Sequence, residues 1–496
     1  MNLKTLLSQD LKPKGIKLIP VVEEDVGDLE TPVSAFLKLK KSGAKFLLES
    51  VEQNEKVGRY SFIGLEPKIT VRVEKESLIL AEEPGLSTRA KLKRSLELPT
   101  KGDPLGLLRR ILNCIEIESH PGLPTLLGGL VGYISYDFAR FFEKIPDLNG
   151  KPDLPYALFY LVDRLLVFDH LQRKVKVISL LEKKNHSLQS HSKQEENQAV
   201  FQSLKKPLKL NGYHFNSNQR DWQSNFPQAD FCQNVLEAKE HIRSGDVYQL
   251  VLSQCLSGQL KVDPFQVYRA LRMLNPSPYM FYLDFGSLKL IGSSPEVLVK
   301  LKEKNALVRP IAGTRPRGKD LTEDQRLTEE LTRDEKEKAE HIMLVDLGRN
   351  DLGRCCKFGT IKVSELMSVE KYSHVMHLTS QVEGQLNSDQ DQFDLFRACF
   401  PAGTVTGAPK VKAMELIEKF EREKRGPYAG AVGYFSLSGD MDFCIAIRTI
   451  ILNREKYLLQ AGAGIVYDSI PEREYQESLD KVAALKKAIQ IAQEGL

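Results

Sequence analysis

The sequence predicts an α+β fold on three observations: β-rich runs joined by glycine turns in the first third, an irregular mixture of strand-like and helix-like runs after residue 228, and hairpin-length spacings between many neighbouring strands. A doubly wound parallel sheet would need a helix between successive strands, and the order of runs does not supply one. Taken along the chain, KFLLESVE (45–52), ITVRVEKESLIL (69–80) and ALFYLVDRLLVFDH (157–170) are short, apolar and rich in β-branched or aromatic residues, as strands require. Residues 186–227 turn polar and lose apolar periodicity, which predicts a linker between an N-terminal region (1–185) and a C-terminal region (228–496). Beyond it the spacing predicts a helix over 228–243, strands near 247–254, 280–284 and 289–293, and a helix near 333–347. Strands return at 430–437, 444–452 and 456–464 before a final helix over 471–493.

At 496 residues the chain exceeds one ordinary core. Hydrophobic content of 42% with 27% charged residues and a formal net charge of +4 describe a folded, soluble chain with no electrostatic demand for nucleic acid. MNLKTLLSQDLKPKG at the N-terminus has neither the apolar core nor the small-residue cleavage site of a secretory signal, and no apolar run would span a bilayer. A cytoplasmic location is expected. Seven cysteines with no C-x-x-C pair predict reduced thiols.

Two predicted helices carry the same device. Glu337 and Glu340 are three residues apart, and so are Glu474 and Glu477, so each pair projects from one helical face. The spacing alone is weak, because Glu237/Glu240 and Glu415/Glu418 share it and surface pairs are common. Converging carboxylates repel by roughly 4 kcal/mol at 4 Å and an effective dielectric of 20, which calls for a dication. An all-oxygen set favours Mg²⁺. FPAGTVTGAPK (400–410) and QAGAGIVYDS (460–469) offer glycines where backbone can approach a ligand, and Arg448 is a lone cation in an apolar run, suited either to a substrate carboxylate or to an internal salt bridge. His374 and His377 lack a third nitrogen or sulfur ligand, which favours a core or catalytic histidine over a metal site. Walker A, G-x-G-x-x-G, G-x-S-x-G and HExxH patterns are absent from the sequence.

Seven motifs in one order, RPIAGTRPRG (309–318), DEKEKAEHIMLVDLGRNDLGR, SHVMHLTSQVEG, FPAGTVTGAPK, GPYAGAVGYF, AGAGIVYDS and EREYQES, closely resemble the chorismate-utilising enzymes, and among them anthranilate synthase component I. The resemblance implies a two-lobed α/β/β/α sandwich with facing antiparallel sheets and the active site in the cleft. It implies Mg²⁺ held mainly by Glu340 and Glu477, with Glu337 and Glu474 in support. Tyr428 and Arg448 would grip the enol-pyruvyl carboxylate of chorismate, while Gly313, Thr314, Thr404, Gly462, Ala463 and Gly464 line the ring site and Lys481 adds positive charge. Glu296 would be the general acid for the departing C4 hydroxyl, and His377 the base for the C2 proton.

Two positions bear on which reaction is run. Relatives that make 4-amino-4-deoxychorismate place a nucleophilic lysine where this chain has Ala312, and relatives that add water use a lysine base where it has Gln249. Ammonia adding directly at C2 is then the expected outcome. Since no cysteine sits in a glycine-rich nucleophile turn, ammonia would come from a separate glutamine amidotransferase subunit. LLES (47–50) and NPSPYM (275–280) match the family's elements for tryptophan feedback, making Ser50, Pro278, Tyr279 and Met280 the candidate inhibitor site. The rivals are an aminodeoxychorismate synthase component I, a non-catalytic scaffold for a glutaminase, and a carboxylate-bridged hydrolase. Arg315 and Arg317 are expected either to pin their loop or to attract the dianion.

Overall fold

The computed structural model describes residues 15–50, 58–83, 95–118, 122–208, 222–372 and 375–496. Among these, a 13-stranded and a 12-stranded sheet dominate. Pairing is antiparallel almost throughout; Ile16–Val26 with Ile115–Ile117 is a parallel exception.

The sheets face each other, and the period-two alternation of strand side chains builds the layers. In Tyr279–Phe285, Phe281 and Leu283 enter the core between the sheets, while Met280 and Tyr282 enter a second core under the helices. Aromatic rings bridge the sheets: Phe285 lies 4.7 Å from Tyr160 and 6.3 Å from Tyr133, and Phe62 lies 6.3 Å from Tyr434. Helices Pro32–Leu39, Pro264–Leu274 and Pro471–Glu494 cover the first sheet, with Phe36 stacked on Phe265 at 4.5 Å. Gln392–Cys399 packs on the second through Phe393 and Phe435, 4.5 Å apart. Each such buried side chain contributes about 1.5–3 kcal/mol of burial free energy. The result is an α/β/β/α sandwich.

Both halves of the sequence feed both sheets. Ala44–Glu49 pairs with Tyr279–Phe285, and Gly129–Ile134 pairs with Ala431–Ser436. A division of the chain at 186–227 is therefore no spatial cut. Part of that stretch, expected as a linker, is the helix His186–Leu204, whose Val200, Phe201 and Leu204 are buried on the first sheet's outer core. Among its described side chains the apolar anchors Val200, Phe201 and Leu204 lie in the C-terminal half, which is why periodicity misses it. Residues 209–221 lie outside the described set, as does His374.

Two other expectations are corrected in ways that matter for the site. The run 444–452 is two strands, Met441–Ile445 in the 12-stranded sheet and Thr449–Asn453 in the other, so the chain changes sheets at 446–448. The run 333–347 contains a helix start: Asp334 ends Leu321–Arg333 and caps Glu335–Gly353 by accepting from the amides of Lys336 and Glu337. No helix among the described residues is long and apolar enough to cross a membrane.

Candidate active site

Two crossovers between the sheets build the centre of the site. Leu288–Ser294 belongs to one sheet and Val297–Lys302 to the other, which leaves Glu296 in the joint between them. Arg448 occupies the corresponding joint of the neighbouring strands, with a left-handed φ of 49°. The joints are tied together, the Ile445 amide donating to the Glu296 carbonyl (3.0 Å) and the Ser293 amide to the Arg448 carbonyl (3.1 Å). A crossover cannot continue either ladder, so its side chains are free to serve the cleft.

Glu296 is buried, and burial pushes its carboxyl up to about 8 against opposing contacts from the Thr404 hydroxyl and the Ile311 amide. It holds its proton at neutral pH. On the strand paired with Ile311–Pro316, His377 Nδ1 meets the Gly313 carbonyl (3.2 Å) and the Thr314 hydroxyl (2.9 Å). A carbonyl only accepts, so Nδ1 carries the proton and Nε2 keeps its lone pair. Burial, with the nearby Arg448 charge, holds the His377 pKa below its usual value. One residue, Ala312, lies between the amide that touches Glu296 and the carbonyl that touches His377. Gly313 makes this possible: it sits at a bulge with φ +61°, where a Cβ would come within 2.9 Å of Leu331 and 3.0 Å of the Glu337 carboxylate.

Glu340 accepts from Gln249 Nε2 at 2.9 Å. Burial raises its pKa, and repulsion from Glu337 and Glu477 adds to the rise; Glu474 is raised by burial and by Glu477. The four carboxylates, from two helices, thus lie within one another's field. Glu337 is paired with Arg315 (3.1 Å) and Glu477 with Lys481 (2.8 Å), whereas Glu340 and Glu474 have no ion pair among the described residues. Among those residues no three His, Cys, Asp or Glu side chains close into a ready ligand shell. An oxygen-only set with two unpaired carboxylates fits a hard dication that completes its shell with water and substrate.

The remaining residues divide by face. Gly462 and Gly464 pair with Ser253 and Val251, and a Cβ on Gly464 would lie 2.5 Å from Gln249 Nε2. Lys481 Nζ donates to the Gly462 carbonyl (2.9 Å), and the Gly462 amide reaches the buried Tyr428 hydroxyl. At Ala463 strand alternation turns the methyl into a core cluster with Phe231 and Leu416, so there it is the backbone that can serve a ligand. Arg448 has no ion pair among the described residues, and burial lowers its pKa, the state expected of a cation awaiting an anion. Arg315 and Arg317 are already taken up. Arg315 binds Glu330, Asp334 and Glu337, and Arg317 binds Asp324 and the Tyr372 carbonyl.

A separate cavity of about 750 Å³ gathers Ser50, Pro278, Tyr279 and Met280, contributed by distant parts of the sequence. Tyr279 donates to Asp442 at 2.8 Å, and Glu49 takes Arg272 Nε at 2.6 Å.

With this geometry in view, the comparisons with known proteins are decisive. The chorismate binding enzyme family matches residues 44–487. The chain belongs to the chorismate binding enzymes, in the anthranilate synthase component 1 group. Curated anthranilate synthase component 1 proteins of Acetivibrio thermocellus and Aquifex aeolicus are 44% and 45% identical to it, covering 99% and 100% of this chain and 99% of each relative. Among solved structures, anthranilate synthase component I from Streptococcus pneumoniae TIGR4 aligns with a TM-score of 0.75 at 35% identity, over 93% of this chain and 99% of that one. The menaquinone-specific isochorismate synthase of Escherichia coli aligns with a TM-score of 0.69 at 22% identity, over 98% and 99%, and shares the fold. Sequence reasoning missed one feature of this chorismate binding enzyme, a buried Glu421–Arg425 pair behind the cleft. Two charges four residues apart on the sequence carry no signal of depth.

Proposed function

We propose that this chain is the chorismate-aminating component of an anthranilate synthase in the cytoplasm, adding ammonia at C2 of chorismate and eliminating pyruvate. The observation that carries this reading is Ala312, a bare methyl between the segments that hold Glu296 and His377, where an enzyme aminating at C4 would present an amine. Gln249 concurs, since its carboxamide is engaged with Glu340 and cannot take a proton from water.

Glu296 donates its proton to the C4 hydroxyl, which leaves as water while ammonia bonds to C2. His377 Nε2 then removes the C2 proton as the bond from C3 to the enol-pyruvyl oxygen breaks, the ring becomes aromatic, and the released enol takes a proton to become pyruvate. Arg448 and Tyr428 hold the enol-pyruvyl carboxylate, and Gly462, Gly464, Gly313, Thr314 and Thr404 shape the ring site. Mg²⁺, held by Glu340 and Glu477 with Glu337 and Glu474 in support, would supply positive charge for the ring carboxylate, worth several kcal/mol of the barrier. The reading extends to a glutamine amidotransferase subunit as ammonia source, in line with relatives named as a component 1, and to tryptophan as an inhibitor in the cavity at Ser50 and Pro278–Met280.

The test is stoichiometric. The full chain with chorismate, Mg²⁺ and ammonium salt should release one pyruvate per chorismate consumed, and chelation should stop it. Consumption of chorismate without pyruvate would reject the proposed elimination.

A further inference from the structure

Glu421 and Arg425 form an ion pair almost sealed from water, with relative exposures of 6% and 3%. Arg425 engages all three nitrogens of its planar fork: Nε and Nη2 donate to the two Glu421 oxygens (2.8 and 2.6 Å), Nη1 to the Val405 carbonyl (2.7 Å) and Nη2 also to the Val251 carbonyl (2.7 Å). Glu421 in turn accepts from the Ser253 amide (2.8 Å) and hydroxyl (2.7 Å). The guanidinium lies 4.6 Å from the ring centre of Tyr136 and 5.7 Å from that of Tyr428.

Every one of these contacts but Tyr136 ends one or two residues from a wall of the cleft, or on it. Val251 pairs with Gly464 and lies two residues from Gln249; Ser253 pairs with Gly462; Val405 follows Thr404; Tyr428 is a wall itself. We propose that the Glu421–Arg425 pair is a positioning device that sets the spacing of three walls of the chorismate site: the Gln249–Gln259 strand with its glycine partner strand, the Thr404 turn, and Tyr428. It rests on the assignment of that cleft to chorismate. Neither residue touches the reacting atoms. A lysine could replace the charge of Arg425 but not its four simultaneous contacts, because an ammonium has no planar fork. A device for stability alone would make R425K and wild type equally active per folded molecule, whereas misplaced walls cost turnover in molecules that remain folded.

The experiment compares wild type, R425K and the milder S253A as full-length chains. Far-UV circular dichroism and Tm report folding, calorimetry reports chorismate binding with Mg²⁺, and steady-state kinetics with ammonium report kcat and KM. R425K is expected to lose about 100-fold in kcat/KM per folded molecule with a raised KM for chorismate, and S253A about three- to tenfold. Activity within twofold of wild type in folded R425K would overturn the proposal. If R425K does not fold, S253A decides, and an unchanged chorismate KM in S253A would overturn it. Failure of the functional reading is seen separately: wild type would then yield no anthranilate, and weaker chorismate binding by the variants would still test the positioning.

Discussion

In the substrate cleft Arg448 and Glu340 are half-buried with no ion pair among the described residues, whereas three charges on the wall of the 750 Å³ cavity are matched: Glu49 by Arg272, Asp442 by Lys300, Arg59 by Asp169. Unmatched buried charge is costly and persists where a charged ligand is to complete it. A matched wall suits a ligand with no net charge. Under the proposed function the cleft would take a dianion with a cation, and the cavity a zwitterion such as an amino acid. The two regions also share material, because the strand that supplies Tyr279 and Met280 to the cavity pairs with the strand leading into Glu296, Tyr279 opposite Ser294.

Removing charge from the unmatched region should have the largest effect. Glu340→Gln should lower kcat/KM for chorismate by about three orders of magnitude and raise the Mg²⁺ concentration needed for half activity, both read in a pyruvate-release assay. Near-normal Mg²⁺ dependence would remove Glu340 from the metal site.

Glu296→Gln should reduce kcat by about 10²–10⁴-fold, the usual worth of a general acid. It also carries a pH signature. The folded-state pKa of Glu296 is raised from an ordinary value near 4.5 to about 8, so its contribution to stability is fully present below pH 4.5 and is lost as pH rises through 8. The Tm of the glutamine variant should therefore gain on wild type between pH 5 and pH 9. A constant difference across that range would contradict the burial of a neutral acid.

Filling the matched region should act on regulation and spare chemistry. Ser50→Phe should weaken tryptophan inhibition about 5- to 150-fold, the range of ordinary coupling energies, with turnover within twofold in the same assay. The smallest effect belongs to a charge already spent inside the fold. Arg317→Met should lower Tm by roughly 2–4 °C and leave the chorismate KM unchanged, since Arg317 serves Asp324 and a backbone carbonyl.

The same contrast explains what could be read from the sequence. Motifs singled out Glu296, His377, Glu340 and Arg448 as candidates, because chemistry of the proposed kind needs particular residue types. Strand and helix patterns located most elements of the second half, and hairpin spacings pointed to antiparallel sheets. What escaped is what depends on long-range pairing: the exchange of strands between sheets at 446–448 that puts Arg448 in a joint, the alternation that turns Ala463 away, and the burial of Glu421 with Arg425. Each is decided by which strand lies alongside, and a local window holds no record of that. Polar residues in the helix His186–Leu204 hid it for the same reason, since its few apolar anchors count only against a neighbouring sheet.

The most direct test is the identity of the product. The purified chain, without a partner, is incubated with chorismate, Mg²⁺ and a high concentration of ammonium salt at mildly alkaline pH, and the products are identified by mass spectrometry with and without tryptophan. The account predicts anthranilate with pyruvate, suppressed by tryptophan. Aminodeoxychorismate or isochorismate would contradict the reading of Ala312 and Gln249, and no product at all would favour a scaffold for a glutaminase.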